Sequence, residues 1–202
     1  MGRGAEYSFV RYLLTELGRD ARYVLELGCG TAVYRPLFLS KHYVATDIPN
    51  SWYQSKGDVD VFASGNHLPF APESFDLIFS QAALDYMPDT REVLKESYRV
   101  LRPGGRFLVI TYRKSVLERI HRDCADRGIR HCGIYTPREL VRWLEGAAFN
   151  ALEVPRPSVY DGSAARAWIK ATLASIPPFG TVMRMISNWR IVLGTKSGSV
   201  AH

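Results

Sequence analysis

The sequence predicts an α/β fold with a mostly parallel sheet covered by helices on both faces. Three observations lead there. Short apolar runs alternate with stretches of helical period and with loops rich in Gly, Pro and Ser. The first apolar run ends in a glycine turn, Val24-Leu25-Glu26-Leu27-Gly28-Cys29-Gly30-Thr31. The next apolar run ends in an acid, Asp47. Alternating strands and helices argue for a mostly parallel sheet covered on both sides.

The elements follow in order. Residues 5–18 bring Tyr7, Val10, Leu13, Leu14 and Leu17 near one face of a helix. Strand one is Tyr23 to Leu27. Pro36 suits the first turn of a short helix reaching Lys41. Strand two is Tyr43 to Thr46, and residues 49–57 read as a loop. Strand three spans about Val59 to Ala63, and strand four Phe75 to Ser80. A helix from about Thr90 to Leu101 is broken by Pro103-Gly104-Gly105, and strand five is Arg106 to Tyr112. Helices are expected over Ser115 to Asp126 and Pro137 to Gly146, with strands six and seven near Ala151 to Pro155 and Trp189 to Thr195.

Length and composition set the frame. A chain of 202 residues, 47% hydrophobic and 23% charged, suits one compact domain over 1–202 with a sizeable core. No run of eighteen apolar residues predicts a membrane span, and no charged start with a following apolar block predicts a secretory signal. The three cysteines, Cys29, Cys124 and Cys132, do not suggest a disulfide framework and fit a reducing cytoplasm.

The turn carries the first chemical signal. Gly28 and Gly30 allow a tight turn and leave room for a ligand to approach the backbone. In open α/β sheets such a site lies beyond the carboxyl ends of the strands. A dinucleotide would want G-x-G-x-x-G with pyrophosphate on the helix N-terminus. Here the third glycine position is Val33, and an acid, Glu26, precedes the turn. That acid would repel a pyrophosphate and attract the ammonium and sulfonium of S-adenosylmethionine. Glu26 and Asp47 together suit a nucleoside cofactor with a cationic amino group and ribose hydroxyls.

Further motifs extend the pattern: Ala45-Thr46-Asp47-Ile48; Leu68-Pro69-Phe70 leading into Ser74-Phe75-Asp76-Leu77-Ile78-Phe79-Ser80; Glu96-Ser97-Tyr98-Arg99-Val100-Leu101-Arg102-Pro103-Gly104-Gly105-Arg106; and Tyr135-Thr136-Pro137-Arg138-Glu139-Leu140. In this order and spacing, over roughly residues 20–155, the chain resembles the class I S-adenosylmethionine-dependent methyltransferases. It looks most like the branch that includes the ubiquinone and menaquinone biosynthesis methyltransferases. The resemblance implies a Rossmann-like fold of seven strands in the order 3-2-1-4-5-7-6, with strand seven antiparallel.

It also implies roles for matching residues. Glu26, Gly28, Cys29 and Gly30 would line the methionine end of the cofactor. Asp47 would accept hydrogen bonds from the ribose, and Ile48 would pack on adenine. Many relatives place an Asp four residues before the Leu-Pro-Phe run; this chain has Ser64 there, a weaker partner for the adenine amino group. Gly65 could offer its backbone N–H to the ring. Ser80 and Gln81 would lie beside the transferred methyl group. Where relatives continue with Leu-His-His or a similar run, this chain has Leu84-Asp85-Tyr86.

No motif singles out a catalytic base among Asp85, Tyr86, Tyr112, His121 and His131, and His67 reads as a solvated loop residue. The sequence His121-Arg122-Asp123-Cys124, with His131-Cys132 beyond, holds metal-ligand residue types at a spacing that matches no common zinc pattern, so no metal is expected.

Charge bears on the acceptor. The net charge is +6, and from Val154 onward six bases, Arg156, Arg166, Lys170, Arg184, Arg190 and Lys196, are set against one acid, Asp161. Residues 156–188 form a long connection whose Ala164, Ala165, Trp168, Ile169, Thr172, Leu173 and Ile176 fall near one helical face, with a hinge expected at Pro177-Pro178-Phe179-Gly180. It reads as a cap on the acceptor site together with the N-terminal helix of residues 1–20. A basic amphipathic helix can also touch an acidic membrane surface. The pI of about 9.3 raises nucleic acid. However, the sequence has neither an Asn-Pro-Pro-Tyr or Asp-Pro-Pro-Tyr run at strand four nor a Pro-Cys nucleophile. The expected activity is methyl transfer to oxygen, nitrogen or activated carbon of a small or lipid-like acceptor. The alternatives are a nucleic-acid or protein methyltransferase using the basic C-terminal region, and a non-catalytic methyltransferase-like binding subunit.

Overall fold

The computed structural model describes residues 3–49, 58–112, 114–125, 133–153 and 189–197. Its sheet runs β3-β2-β1-β4-β5-β7-β6, the order the resemblance implies. The strands are β1 Tyr23–Leu27, β2 His42–Asp47, β3 Val61–Phe62, β4 Phe75–Gln81, β5 Leu101–Tyr112, β6 Phe149–Glu153 and β7 Trp189–Lys196. The pairs β1–β2, β1–β4, β2–β3 and β4–β5 are parallel. The pairs β5–β7 and β6–β7 are antiparallel. The helices are α1 Arg3–Gly18, α2 Thr90–Val100, α3 Lys114–Ala125 and α4 Pro137–Gly146.

Successive strand residues point to opposite faces, so each apolar strand feeds two cores. Val24, Leu77, Phe79, Leu108 and Ile110 pack with Val10 and Leu14 of α1 and with Tyr34 and Phe38. Leu25, Ile78, Phe107 and Val109 pack on the other face with Val93 and Leu94 of α2 and Leu140 and Leu144 of α4. This explains why the runs alternate so little in polarity.

The helix ends are set by local chemistry. Asp89 caps α2 by accepting from Glu92 N. At α4, Thr136 and Glu139 form a reciprocal capping box, with Pro137 in the first turn. The Asp76 carboxylate accepts from the amides of Arg22 and Tyr23 and from Arg102, each at 2.8 Å, tying the start of β1 to β4. The nearly buried Lys196 ammonium donates to the carbonyls of Tyr98 and Leu101, fastening β7 to the end of α2.

Boundaries depart from expectation in four places. The short helix after the turn is a single 3-10 turn, Arg35–Phe38. β3 is two residues long at the sheet edge. β5 begins at Leu101, because Leu101 pairs with Phe75 and the ladder resumes at Leu77–Arg106, so the Pro-Gly-Gly segment is an interruption inside the ladder rather than a loop before it. β6 starts two residues early, at Phe149, which is buried between the helical layer and the sheet.

Candidate functional site

The site is built where β1 and β2 end side by side. After Leu27 the chain turns through Gly28 (φ 69°) and Gly30 (φ 54°), in the left-handed region that glycine adopts freely. The amides of Gly28 and Cys29 both donate to Thr46 O, at 2.9 and 3.0 Å, which joins the turn to β2. A methyl group added at Gly28 would lie 2.3 Å from Ala83 Cβ and 3.3 Å from Met87 Cε. The side on which a Gly28 Cβ would lie is therefore filled by Ala83 and Met87 of the segment after β4.

Asp47 closes the other side. Its Oδ2 accepts from Gly30 N at 2.9 Å and its Oδ1 from Ile48 N at 2.7 Å. The Ile48 side chain is half exposed beside it. Ala63 N donates to Asp47 O at 3.0 Å, which carries Ser64 and Gly65 alongside. Ser64 donates its hydroxyl to Asn66 Oδ1 at 2.5 Å and bridges to His67. A methyl group at Gly65 would meet Met87 Sδ at 2.7 Å, so the same methionine packs against both glycine positions.

Glu26 is 3% exposed. The Tyr43 hydroxyl donates to its Oε2. Burial pushes the Glu26 pKa up to about 8, against the opposing pull of Tyr43 and Arg35 and with added repulsion from Asp47. Burial, Glu26 and Asp47 together push the Cys29 thiol up to about 12, so it is an unreactive side chain packed with Ala32 and Ala45.

Beyond β4 lies a second polar group of residues. Ser80 is fully buried, and its hydroxyl has no hydrogen-bond partner among the described residues. Gln81 ends the strand, and the chain turns at Ala82 (φ 49°) to place Ala83 on the glycine turn. Two residues on, Asp85 is 1% exposed and both its carboxylate oxygens lie within 3.0 Å of Thr111 Oγ1. Burial raises its pKa to about 6, while Tyr135 and Thr111 oppose the rise. Gly133 N donates to Asp85 O at 3.1 Å, bringing the segment before α4 onto the same place.

The structure thus brings Glu26, Gly28, Cys29, Gly30, Asp47, Ile48, Ser64 and Gly65 to one corner of the sheet, with Ser80 and Gln81 at the tip of the neighbouring β4. Sequence reading missed Tyr43, Arg35, Thr111 and Tyr135. For Tyr43 a signal was present: Tyr43, Ala45 and Asp47 share one face of β2 by strand alternation. His131, Cys132, the side chains of Asp123 and Cys124, and residues 156–188 lie outside the described residues. Among the described residues, no three His, Cys, Asp or Glu side chains are grouped to hold a metal. No described helix is long and apolar enough to cross a membrane.

Comparison with known proteins agrees with this geometry. Residues 25–109 match a family model described as a methyltransferase domain. The chain is 45% identical over 64 residues to malonyl-[acyl-carrier protein] O-methyltransferase 1 of Coxiella burnetii, covering 32% of this chain and 22% of that protein. It is 34% identical over 116 residues to the ubiquinone/menaquinone biosynthesis C-methyltransferase UbiE of Vibrio parahaemolyticus, covering 50% of this chain and 45% of that protein. These matches span less than half the length of either relative. In fold, the YcgJ protein of Bacillus subtilis superposes with a TM-score of 0.65 at 19% identity, covering 95% of this chain and 100% of that one. Phosphoethanolamine N-methyltransferase 2 of Haemonchus contortus, solved with S-adenosyl-L-methionine, gives 0.62 at 16% identity, covering 95% and 53%. Residues 25–109 thus match a methyltransferase domain, and the sheet order and the matched relatives make the chain similar to the class I S-adenosylmethionine-dependent methyltransferases.

Proposed function

We propose that this chain moves a methyl group from S-adenosylmethionine to an oxygen, nitrogen or activated carbon of a small or lipid-like acceptor. One observation carries the reading: two buried carboxylates, Glu26 and Asp47, end adjacent parallel strands on either side of a glycine turn whose Gly30 amide is already bonded to Asp47. A cationic amino acid and a ribose suit that donor set. A pyrophosphate would meet two acids.

In this reading Glu26 and the Gly28-Cys29-Gly30 backbone hold the methionine end. Asp47 uses its free lone pairs for the ribose hydroxyls, since each oxygen already accepts one backbone amide. Ile48 offers its exposed side chain to the adenine, with Ser64 and the Gly65 backbone at the ring edge. Ser80 and Gln81 flank the reacting end. When bound, the sulfonium supplies an electrophilic methyl carbon. The protein then has to hold the nucleophile in line about 3 Å away and exclude water. The reading takes 1–202 as one domain, with residues 1–20 and 156–188 as the cap of the acceptor site. The reading includes a cytoplasmic setting, supported by the sparse cysteines, and allows contact with a membrane surface through the basic C-terminal region.

The relatives are named for C-methylation in ubiquinone and menaquinone biosynthesis and for O-methylation of malonyl-[acyl-carrier protein], which marks out the acceptor panel. Methyl-labelled S-adenosylmethionine would be incubated with a hydroquinone, a malonyl thioester, a primary amine and transfer RNA. Label transfer to one of the small acceptors is the expected result. Transfer only to RNA, lost at high salt, would move the reading to a nucleic-acid enzyme. Cofactor binding with no transfer to any would favour a binding subunit.

A further inference from the structure

Glu26 and Asp47 are anchored differently. Asp47 is held by two backbone amides. Glu26 has one side-chain donor among the described residues, the Tyr43 hydroxyl, and that hydroxyl reaches it from the neighbouring strand. In the β1–β2 register Glu26 pairs with Ala45 and Val24 with Tyr43, so the phenol rises along the sheet face to meet the carboxylate.

The phenol is itself fixed. Its ring stacks on Phe38 with centroids 5.6 Å apart and planes 8° apart. The Arg35 guanidinium lies 5.0 Å from the ring centroid. Arg35 is pinned by Asp60 Oδ2 at 3.0 Å and Asp58 O at 2.9 Å, and Asp60 Oδ2 also accepts from Ala45 N at 2.8 Å. The groups facing Glu26 are therefore Tyr43 and Asp47 from β2, Arg35 from the 3-10 turn and Cys29 from the glycine turn. Its β4 neighbour, Phe79, brings no charge.

A hydroxyl that donates to a carboxylate favours the ionised form and fixes one rotamer. Occupying Oε2 leaves Oε1 for a ligand. We infer that Tyr43, clamped by Phe38 and Arg35, is a positioning residue that holds Glu26 for the amino group of the cofactor, so that this end of the site selects ligands carrying a cationic amino acid over a bare nucleoside. The inference rests on the proposed function in taking Glu26 as the amino-group partner.

Calorimetric titrations of S-adenosylhomocysteine and of adenosine, on the wild type and Tyr43→Phe at several pH values from about 6.5 to 8.5, test it. Adenosine lacks the amino acid and reports only on the Asp47 side. Tyr43→Phe should weaken S-adenosylhomocysteine about fivefold near neutral pH, leave adenosine unchanged, and move the pH dependence of S-adenosylhomocysteine binding upward. Arg35→Lys, which keeps the phenol but loosens its ring, should show the same selective loss in smaller measure and stands in if the first variant does not fold. An unchanged affinity and pH profile in a folded variant would overturn the inference while leaving the cofactor site standing. An equal loss of both ligands would assign Tyr43 to packing alone and overturn it too. Failure of the wild type to bind either ligand would bring down the cofactor reading itself and the inference with it.

Discussion

Gly30 N donates to Asp47 Oδ2 across 2.9 Å, so the turn after the first strand and the acid ending the second form one rigid unit. The turn's shape and the carboxylate's direction are therefore coupled. A substitution that moves the turn should be felt at Asp47 even without touching it.

Gly28→Ala tests how tightly that turn is packed. The position combines a φ of 69° with an added Cβ only 2.3 Å from Ala83. Left-handed backbone costs an L-residue about 1–2 kcal/mol and overpacking adds about 1–3 kcal/mol. Chemical unfolding should show a loss of roughly 2–5 kcal/mol. Full wild-type stability would mean that the segment after β4 does not press on the turn.

Glu26 should make the free protein less stable as pH rises. Its pKa is about 8 in the fold and 4.5 without burial, so the folded state keeps a proton that the unfolded chain releases between those values. That contribution is present below pH 4.5 and lost on the way to pH 8. Glu26→Gln should remove it, and urea unfolding at about pH 5, 6.5 and 8 should show a shallower decline than in the wild type. Parallel declines would show that the carboxyl is ionised throughout.

Much of this was legible in the sequence, and the exceptions have physical causes. Apolar runs ended by breakers located β1, β2 and β4 because β1 and β4 are buried on both faces and β2 is buried over its last three residues. β3 and β6 slipped because edge positions need no continuous apolar pattern. β5 ran back through Pro103-Gly104-Gly105 because pairing of Leu101 with Phe75 outweighs the local turn signal. At the site, Glu26 and Asp47 stand out in the sequence because each is an acid in or at the end of an otherwise largely apolar strand run. The Tyr43–Glu26 and Asp85–Thr111 contacts were not, since each depends on inter-strand register or on chain packing that spacing does not reveal.

Asp85 is a second buried acid whose charge works against the fold. Burial raises its pKa to about 6, so above that pH the ionised form is held at a net cost. Asp85→Asn keeps an oxygen for the Thr111 hydroxyl and sheds the charge. Its melting temperature at about pH 7.5 should equal or exceed that of the wild type. Asp85→Ala, which strands the Thr111 hydroxyl, should lose about 1–3 kcal/mol. A large loss from the Asn variant would mean that the negative charge itself is compensated.

The most direct measurement is a calorimetric titration of S-adenosylhomocysteine into the wild type and Asp47→Ala. The account predicts micromolar binding that weakens at least tenfold, about 1.4 kcal/mol, in a folded variant. Absence of binding to a well-folded wild type, or equal affinity in the two proteins, would contradict it.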